Sequence, residues 1–390
     1  MRILKNLKRK IYVIAVMLLA VTVAGCSLVN VNEDKDRKIV IAQVNGEKIL
    51  KGKLLDEYLR YTSYYNVPAE NEKEAKTSIL DDLINQQLIL QKAKEAGHVV
   101  NDEVKAKAAD EFDKLIQDYA DMLKEAAKDD PNADKNADYP QLAITQYEDY
   151  FKSMNMTKEQ YLESMALNMV KQDYIDELTV DLTVADSEIK DYYNTELEAQ
   201  KKAPSNIANS PVAIVTEPEM RRVKHILIKL SDEDSAAIAA LRTEKKDTEA
   251  VALRDEKLKG IKVKADEILV KAKAGEDFEA LITEFGEDPG MKLEENKDGY
   301  VMLRDASMLP EFLEASFKLK EGEISGLVAT DYGYHIIKVY EAKENKIATL
   351  DEVKEGIHTA ILNNKKNEKS SQLIAEWLKV AKVKKYESRY

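Results

Sequence analysis

Two of the chain's four histidines sit inside short apolar strands: Val223-Lys224-His225-Ile226-Leu227-Ile228 and Tyr332-Gly333-Tyr334-His335-Ile336-Ile337-Lys338-Val339. Runs rich in β-branched residues fit a pleated, half-buried surface, so each imidazole is carried into a packed layer. One such histidine reads most simply as a satisfied core residue. Two of them in strand registers about a hundred residues apart, with Met308-Leu309-Pro310-Glu311-Phe312 between, weigh against that simple reading. The chemistry on offer is electrostatic and hydrogen-bonding. Sparse histidines, a single cysteine and the absence of His-x-x-x-His spacing argue against a metal site. No nucleotide-binding glycine motif occurs, and no cofactor is called for.

This arrangement resembles the parvulin family of peptidyl-prolyl cis/trans isomerases, whose paired histidines sit on adjacent central strands under a proline pocket. The resemblance implies that His225 is the first-strand histidine and His335 the histidine of Gly-Tyr-His-Ile-Ile. Asp288 falls where family members carry a cysteine or an aspartate. Met308 and Phe312 match the proline pocket, Leu303 is a further wall, and Thr330 and Tyr332 lie beside the second histidine. The histidines are expected to hydrogen-bond and fix each other's tautomers. Phe317 and Ile324 read as core. The implied reaction crosses a barrier of about 18–20 kcal/mol, because rotation breaks amide resonance. No covalent bond changes, so a catalyst need only bind the twisted imide better than either planar form.

Three departures from the family pattern stand out. The usual Gly-Gly-(Asp/Glu)-Leu-Gly strand entry is replaced by Glu294-Glu295-Asn296-Lys297-Asp298-Gly299-Tyr300-Val301, which keeps only the last glycine. The first connection, Ser231 to Val263, is long and charged, and reads as a solvated helix or helical hairpin. Lys229-Leu230 leads into Asp232, Glu233 and Asp234, so a phosphoserine-proline preference is not expected.

The N-terminus indicates where the chain works. Arg2, Lys5, Lys8, Arg9 and Lys10 precede an apolar run, Ile11 to Ala24, of signal-peptide length. It ends Val23-Ala24-Gly25-Cys26, which resembles the lipobox of bacterial lipoproteins. That implies cleavage before Cys26 and a diacylglyceryl group on its thiol, so the protein would hang from the membrane by lipid chains and not span it. Removing residues 1–25 removes five positive charges and no negative ones, taking the formal charge from −13 to −18. So acidic a surface argues against nucleic acid as a partner.

The elements that must position the site fall into an α+β arrangement. Residues 26–38 read as a tether. Ile39 to Val44 reads as a strand turning at Asn45-Gly46 into Glu47 to Leu50. This opening resembles the N-terminal domain of SurA-type and PrsA-type chaperones, and residues 39–197 read as a mostly helical lobe of that kind. Its helices are marked by Ile79, Leu83, Ile84 and Leu88 at helical spacing, by Asn101-Asp102 as a cap, and by Thr157-Lys158-Glu159-Gln160 as a capping box. Tyrosines crowd it, Tyr58, Tyr61, Tyr64, Tyr65, Tyr147, Tyr150 and Tyr161 among them, with Met156, Met165 and Met169. They read either as half-buried packing or as an amphipathic cradle for non-native chains. Residues 198–218 carry Pro204, Pro211 and Pro218 without an apolar period and read as a linker. Residues 219–342 form the parvulin-like domain, a four-stranded antiparallel sheet with surrounding helices. Residues 343–390 form a terminal helix that, by the same resemblance, packs on the N-terminal lobe.

The resemblances together imply an extracytoplasmic foldase. Its partners would be unfolded or partly folded exported proteins with Xaa-Pro bonds, and the membrane through Cys26; a homodimer stays open. The alternative is a chaperone whose parvulin-like domain binds clients without significant isomerase activity. A solute-binding lipoprotein would show repeated β-α units, which this chain lacks.

Overall fold

The computed structural model describes residues 33–390 apart from 66, 129, 131 and 132. The expected signal peptide (1–25), Cys26 and the first part of the tether lie outside the described residues. The chain divides into two compact units, Met1–Leu182 with Asn364–Tyr390, and Thr183–Asn363. No described helix is long and apolar enough to cross a membrane.

The first unit opens with helix α1 (Glu33–Arg37), followed by the antiparallel strands β1 (Val40–Val44) and β2 (Glu47–Leu50). Asn45 and Gly46 turn between them with φ of 52° and 92°, a conformation this pair adopts at little cost. The end of the expected tether is packed: Arg37 pairs with Asp56 at 2.6 Å and Lys51 with Asp36 at 3.0 Å. Helices α2 (Lys51–Tyr64), α3 (Glu72–Glu95), α4 (Asp102–Lys128), α5 (Tyr139–Ser153) and α6 (Lys158–Leu178) follow. Asn101 Oδ1 accepts from the Val104 amide at 2.9 Å, and Thr157 with Gln160 closes a reciprocal capping box, so both starts satisfy otherwise orphaned donors. One core gathers Ile41, Val44, Leu54, Leu80, Leu83 and Leu88; another gathers Phe112, Ile116, Tyr139 and Phe151, with Tyr147, Tyr150 and Tyr161 against it.

The second unit starts with α7 (Asp186–Lys202), and here the expected linker proves to be structured. Gln200 is buried, donating to the Val212 carbonyl at 2.7 Å and accepting from the Ile214 and Val215 amides at 2.9 and 2.8 Å. Val212 and Ile214 join Ile189, Ile357 and Ile361 in a core, so the segment is pinned by non-local contacts that leave no periodic trace. Strand β3 (Val215–Glu217) leads to β4 (Met220–Lys229), helices α8 (Asp232–Thr243), α9 (Asp247–Lys273) and α10 (Phe278–Phe285), and strand β5 (Tyr300–Met302). Helix α11 (Pro310–Lys318) precedes β6 (Val328–Thr330), β7 (Gly333–Lys343), β8 (Lys346–Ile347) and α12 (Leu350–Val380).

The main sheet is four-stranded and antiparallel, in the order β5-β4-β7-β6, while β3 pairs with β8. Strand alternation divides its residues between two layers. Ile226, Ile228 and Ile336 meet Ala265, Ile268, Phe278 and Leu281 of α9 and α10; Val223, Met302, Ile337 and Val339 meet Phe312 and Phe317 of α11. The long connection after β4 is a helical hairpin, as its charge pattern suggested, but it is not merely solvated. Ile238, Ala250 and Leu258 bury against Leu230, Ala329 and Tyr334. Beyond Asn363, α12 belongs to the first unit, where Trp377 stacks on Tyr174 and strand β9 (Val383–Lys385) extends the sheet to β2-β1-β9.

Candidate active site

Register decides which side chains share a face. In the antiparallel pairing of β4 with β7, His225 lies opposite Ile337 and Leu227 opposite His335. The histidines are therefore diagonal neighbours on one face. Both are buried, with ring centroids 5.0 Å apart and planes at 61°. Phe312, on the first turn of α11, packs edge-on against both rings at 5.0 and 5.2 Å. Above them opens a groove of about 680 Å³, lined among others by Leu227, Asp288, Tyr300, Met308, Phe312 and Tyr332.

Polar partners hold this floor in place. Thr330 Oγ1 lies 2.8 Å from His335 Nε2 and accepts from the Tyr332 amide at 3.2 Å. Asp288 Oδ2 accepts from the Tyr300 hydroxyl at 2.7 Å, and Oδ1 from the Gly290 amide at 3.0 Å. The loop bearing Asp288 is tied to the end of β4: Glu287 N donates to Leu227 O at 3.0 Å, and Lys229 N donates to Glu287 Oε2 at 2.6 Å. Asp288 Oδ2 sits 3.3 Å from His225 Nε2, though without hydrogen-bond alignment.

Burial holds His225 down at about 4 against the opposing pull of Asp288, and burial followed by the nearby His225 holds His335 down at about 3. Both imidazoles are neutral at pH 7. Burial, then its bond to Asp288, raises the Tyr300 phenol, so it stays a donor. Neither buried ring is poised to exchange a proton near neutrality, and no nucleophile–base pair is assembled. The floor instead offers fixed dipoles in a dry setting, where they act most strongly.

The structure brings His225, His335, Asp288, Met308, Phe312 and Tyr332 to one groove. Thr330 stands behind it, fully buried against His335, and Leu303 is not among the lining residues. The expected bond between the two histidines does not form. The diagonal offset makes the rings meet edge to face, and both nitrogens of His225 and Nδ1 of His335 have no protein hydrogen-bond partner. Sequence reasoning missed Tyr300, which stacks on His225 at 5.8 Å and binds Asp288, as well as Leu227, Lys229, Leu309 and Pro310 in the lining. The signal for Tyr300 was the surviving Gly299 before it. That glycine has φ of 100°, and a Cβ there would lie 2.5 Å from the Val223 carbonyl oxygen. Only glycine lets β5 enter beside β4 at that point. Among the described residues, no group of three or more His, Cys, Asp or Glu side chains is placed to hold a metal ion.

A paired-histidine floor on a four-stranded antiparallel sheet defines the class, and comparison with known proteins gives the family. The model of the PPIC-type PPIase domain matches residues 211–343, and that of the SurA-like N-terminal domain matches residues 1–118. The chain thus joins a SurA-like N-terminal domain to a peptidyl-prolyl isomerase domain of the PPIC type, the latter in its second unit. It is similar to the foldase protein PrsA of Clostridium botulinum strain 657, 29% identical over 398 residues that cover 98% of this chain and 99% of that protein. The corresponding protein of Clostridium kluyveri is 26% identical over 401 residues, covering 98% and 99%. A solved SurA-like chaperone of Campylobacter jejuni aligns over 89% of this chain and all of its own length, at 20% identity and a TM-score of 0.32.

Proposed function

We propose that this chain is a membrane-anchored extracytoplasmic foldase. Lipid on Cys26 holds it at the outer face of the cytoplasmic membrane, the groove isomerises Xaa-Pro bonds of unfolded or partly folded exported proteins, and the helical unit holds those chains. The observation that carries the catalytic part is the Phe312 ring lying 5.0 and 5.2 Å from two neutral imidazoles at the base of an apolar groove. The proline ring enters between Met308 and Phe312. As the imide twists, conjugation is lost: the carbonyl becomes less polar and the nitrogen regains a localised lone pair that can accept a hydrogen bond. His225 and His335, with their unpaired nitrogens, and the Asp288–Tyr300 pair face that change from fixed positions. Groups already desolvated and oriented need not reorganise, so they favour the twisted form over both planar ones.

Acceleration of a proline-limited refolding phase tests the catalytic reading. His225→Ala and His335→Ala, each checked for folding, should lose most of it. A folded double variant with wild-type acceleration would remove the site assignment. Anchoring rests on Val23-Ala24-Gly25-Cys26 after a basic, then apolar, leader. Cys26→Ala should shift the protein from the membrane to the soluble fraction or block its maturation, and equal membrane retention would discard the lipid anchor. The holdase reading is favoured by one feature, the exposure of Tyr61, Tyr64 and Tyr65 at the C-terminal end of α2. It predicts full suppression of client aggregation with no acceleration of refolding.

A further inference from the structure

The α8–α9 hairpin supplies no residue to the groove lining, yet it grips four segments of the groove's rim. From the first turn of α8, Asp232 pairs with the Lys229 ammonium at the end of β4. From its last turn, Arg242 makes a two-pronged bond to Asp331, with Nε to Oδ2 at 3.0 Å and Nη2 to Oδ1 at 3.2 Å. Asp331 immediately precedes Tyr332 of the lining. From α9, Arg254 Nη1 lies 3.4 Å from Glu311 Oε1, between Pro310 and Phe312 on α11. Further along α9, Lys264 Nζ lies 2.8 Å from Glu287, next to Asp288. Each helix thus sends two ion pairs to the rim, and the four reach four different segments.

An apolar seam fixes the hairpin from which these arms extend. Ile238, Ala250 and Leu258 bury against Leu230, Ala329 and Tyr334, and the Leu230 amide donates to the Tyr332 carbonyl at 2.8 Å. The arms are unequal. Asp232 is almost fully exposed, and Lys264 is half exposed. The Arg254 side chain keeps only 12% of its surface exposed, and Arg242 forks over a carboxylate in the planar geometry that guanidinium favours. Arg242 therefore holds its wall, the Asp331–Tyr332 turn, most firmly, while Arg254, fixed by burial and by Asp255 at 2.9 Å, adds a longer contact to the start of α11.

We propose that the α8–α9 hairpin is the frame of the groove, with Arg242 and Arg254 as positioning residues that set the spacing of its walls and so how tightly it grips the residues flanking proline. This rests on the isomerase reading of the groove. It explains why a charged insertion sits between two site strands of an isomerase domain without touching the reacting bond.

The test is steady-state isomerisation by the full chain of an uncharged peptide carrying a bulky residue before proline, with each variant's melting temperature recorded. Arg242→Ala should raise KM about fivefold and Arg254→Ala about twofold with kcat changed less than about twofold, as expected for loss of partly exposed ion pairs that only position the walls. Arg242→Lys should recover part of the loss, because an ammonium makes one contact where the fork made two. Salt of about 0.5 M should raise the wild-type KM toward that of the Arg242→Ala, Arg254→Ala double variant and move the double variant less, since screening also weakens the two pairs the variant lacks while only the exposed Lys229–Asp232 and Lys264–Glu287 pairs remain in it. A purely structural role would lower the melting temperature and leave the KM of the folded protein unchanged. A folded double variant with wild-type KM would overturn the frame. If the wild type binds the peptide without isomerising it, calorimetric Kd replaces KM with the same expected ratios, so failure of the isomerase reading is read apart from failure of the frame.

Discussion

The two units both use aromatic side chains, in opposite ways. In the second unit, Phe312 and Tyr300 are locked against buried imidazoles, and each polar atom of the Asp288–Tyr300–Thr330 set has a defined partner. In the first unit the rings divide into two populations. Phe112, Phe151, Tyr147 and Tyr161 form a cluster of edge-to-face and tilted rings at 5.2 to 6.1 Å, in which burial pushes the Tyr147 phenol up to about 12. Tyr61, Tyr64 and Tyr65 stand 41, 57 and 60% exposed at the C-terminal end of α2. Catalysis of a rotation needs one geometry held against relaxation; holding varied unfolded chains needs apolar area without one geometry. The groove has the former, and the face of α2 offers the latter.

The comparison breaks most easily at Phe312. Phe312→Ala removes the ring that touches both histidines, and a buried Phe→Ala change costs about 3–5 kcal/mol of stability. Activity on a short Xaa-Pro peptide should fall by about a hundredfold or more, roughly 2.7 kcal/mol of transition-state binding. Phe312→Leu keeps most of the volume and separates loss of folding from loss of the ring. Suppression of client aggregation should survive Phe312→Leu. Equal losses in both assays would mean that the two regions do not divide the work in this way.

Protonation gives a second, smaller handle. His225 and His335 are held below their ordinary value of 6.5, to about 4 and about 3. The unfolded chain takes up these protons as pH falls below about 6.5, while the native unit does not until about 4. Stability from this source is complete above 6.5 and is lost as pH falls through that window, by up to about 1.4 kcal/mol per pH unit for each histidine. Denaturant midpoints of wild type and His335→Gln should therefore converge on acidification from pH 7 to 4.5. Isomerase activity of the folded protein should stay flat from pH 8 to about 5. An inflection near 6.5 would show that the imidazoles are solvated and that the dry floor is misread.

Much of this was legible because it was local. The Asn45-Gly46 turn, the Thr157 capping box and the β-branched settings of His225 and His335 are written in neighbouring residues, and local signals survive without tertiary knowledge. What was hidden depends on register or on distant partners. Tyr300 enters the site on a strand of three residues, too short to show alternation, and its place follows from pairing opposite Val223. The histidines' contact is edge-on because one lies two positions along the ladder from the other, which the strand patterns alone do not reveal. Pro204 and Pro211 suggested a linker at 198–218, where Gln200 buries its amide in the backbone of Val212, Ile214 and Val215. Strand β9 was missed for a similar reason: Val383–Lys385 acquires its role only by pairing with β1, more than three hundred residues away.

The smallest expected effect lies on α2. An aromatic side chain buries about 150–250 Å² when fully covered, and at about 25 cal/mol per Å² a half-exposed tyrosine has only about 2 kcal/mol or so left to gain from a client. Ordering a flexible partner consumes part of that. Tyr61→Ser, Tyr64→Ser and Tyr65→Ser together should therefore weaken aggregation suppression by about two- to fivefold, and each alone should be close to silent. The three rings cluster at the C-terminal end of α2, with Tyr61 and Tyr65 ring centroids 4.9 Å apart, so their losses should not add simply. Peptide isomerisation should be unchanged, because no groove residue is altered. The informative measurement is light scattering of an aggregating client at several ratios of chain to client, since weak dispersed binding is masked when the foldase is in excess. Unchanged scattering at every ratio would mean these tyrosines are ordinary surface, and client holding would have to be sought elsewhere in the helical unit.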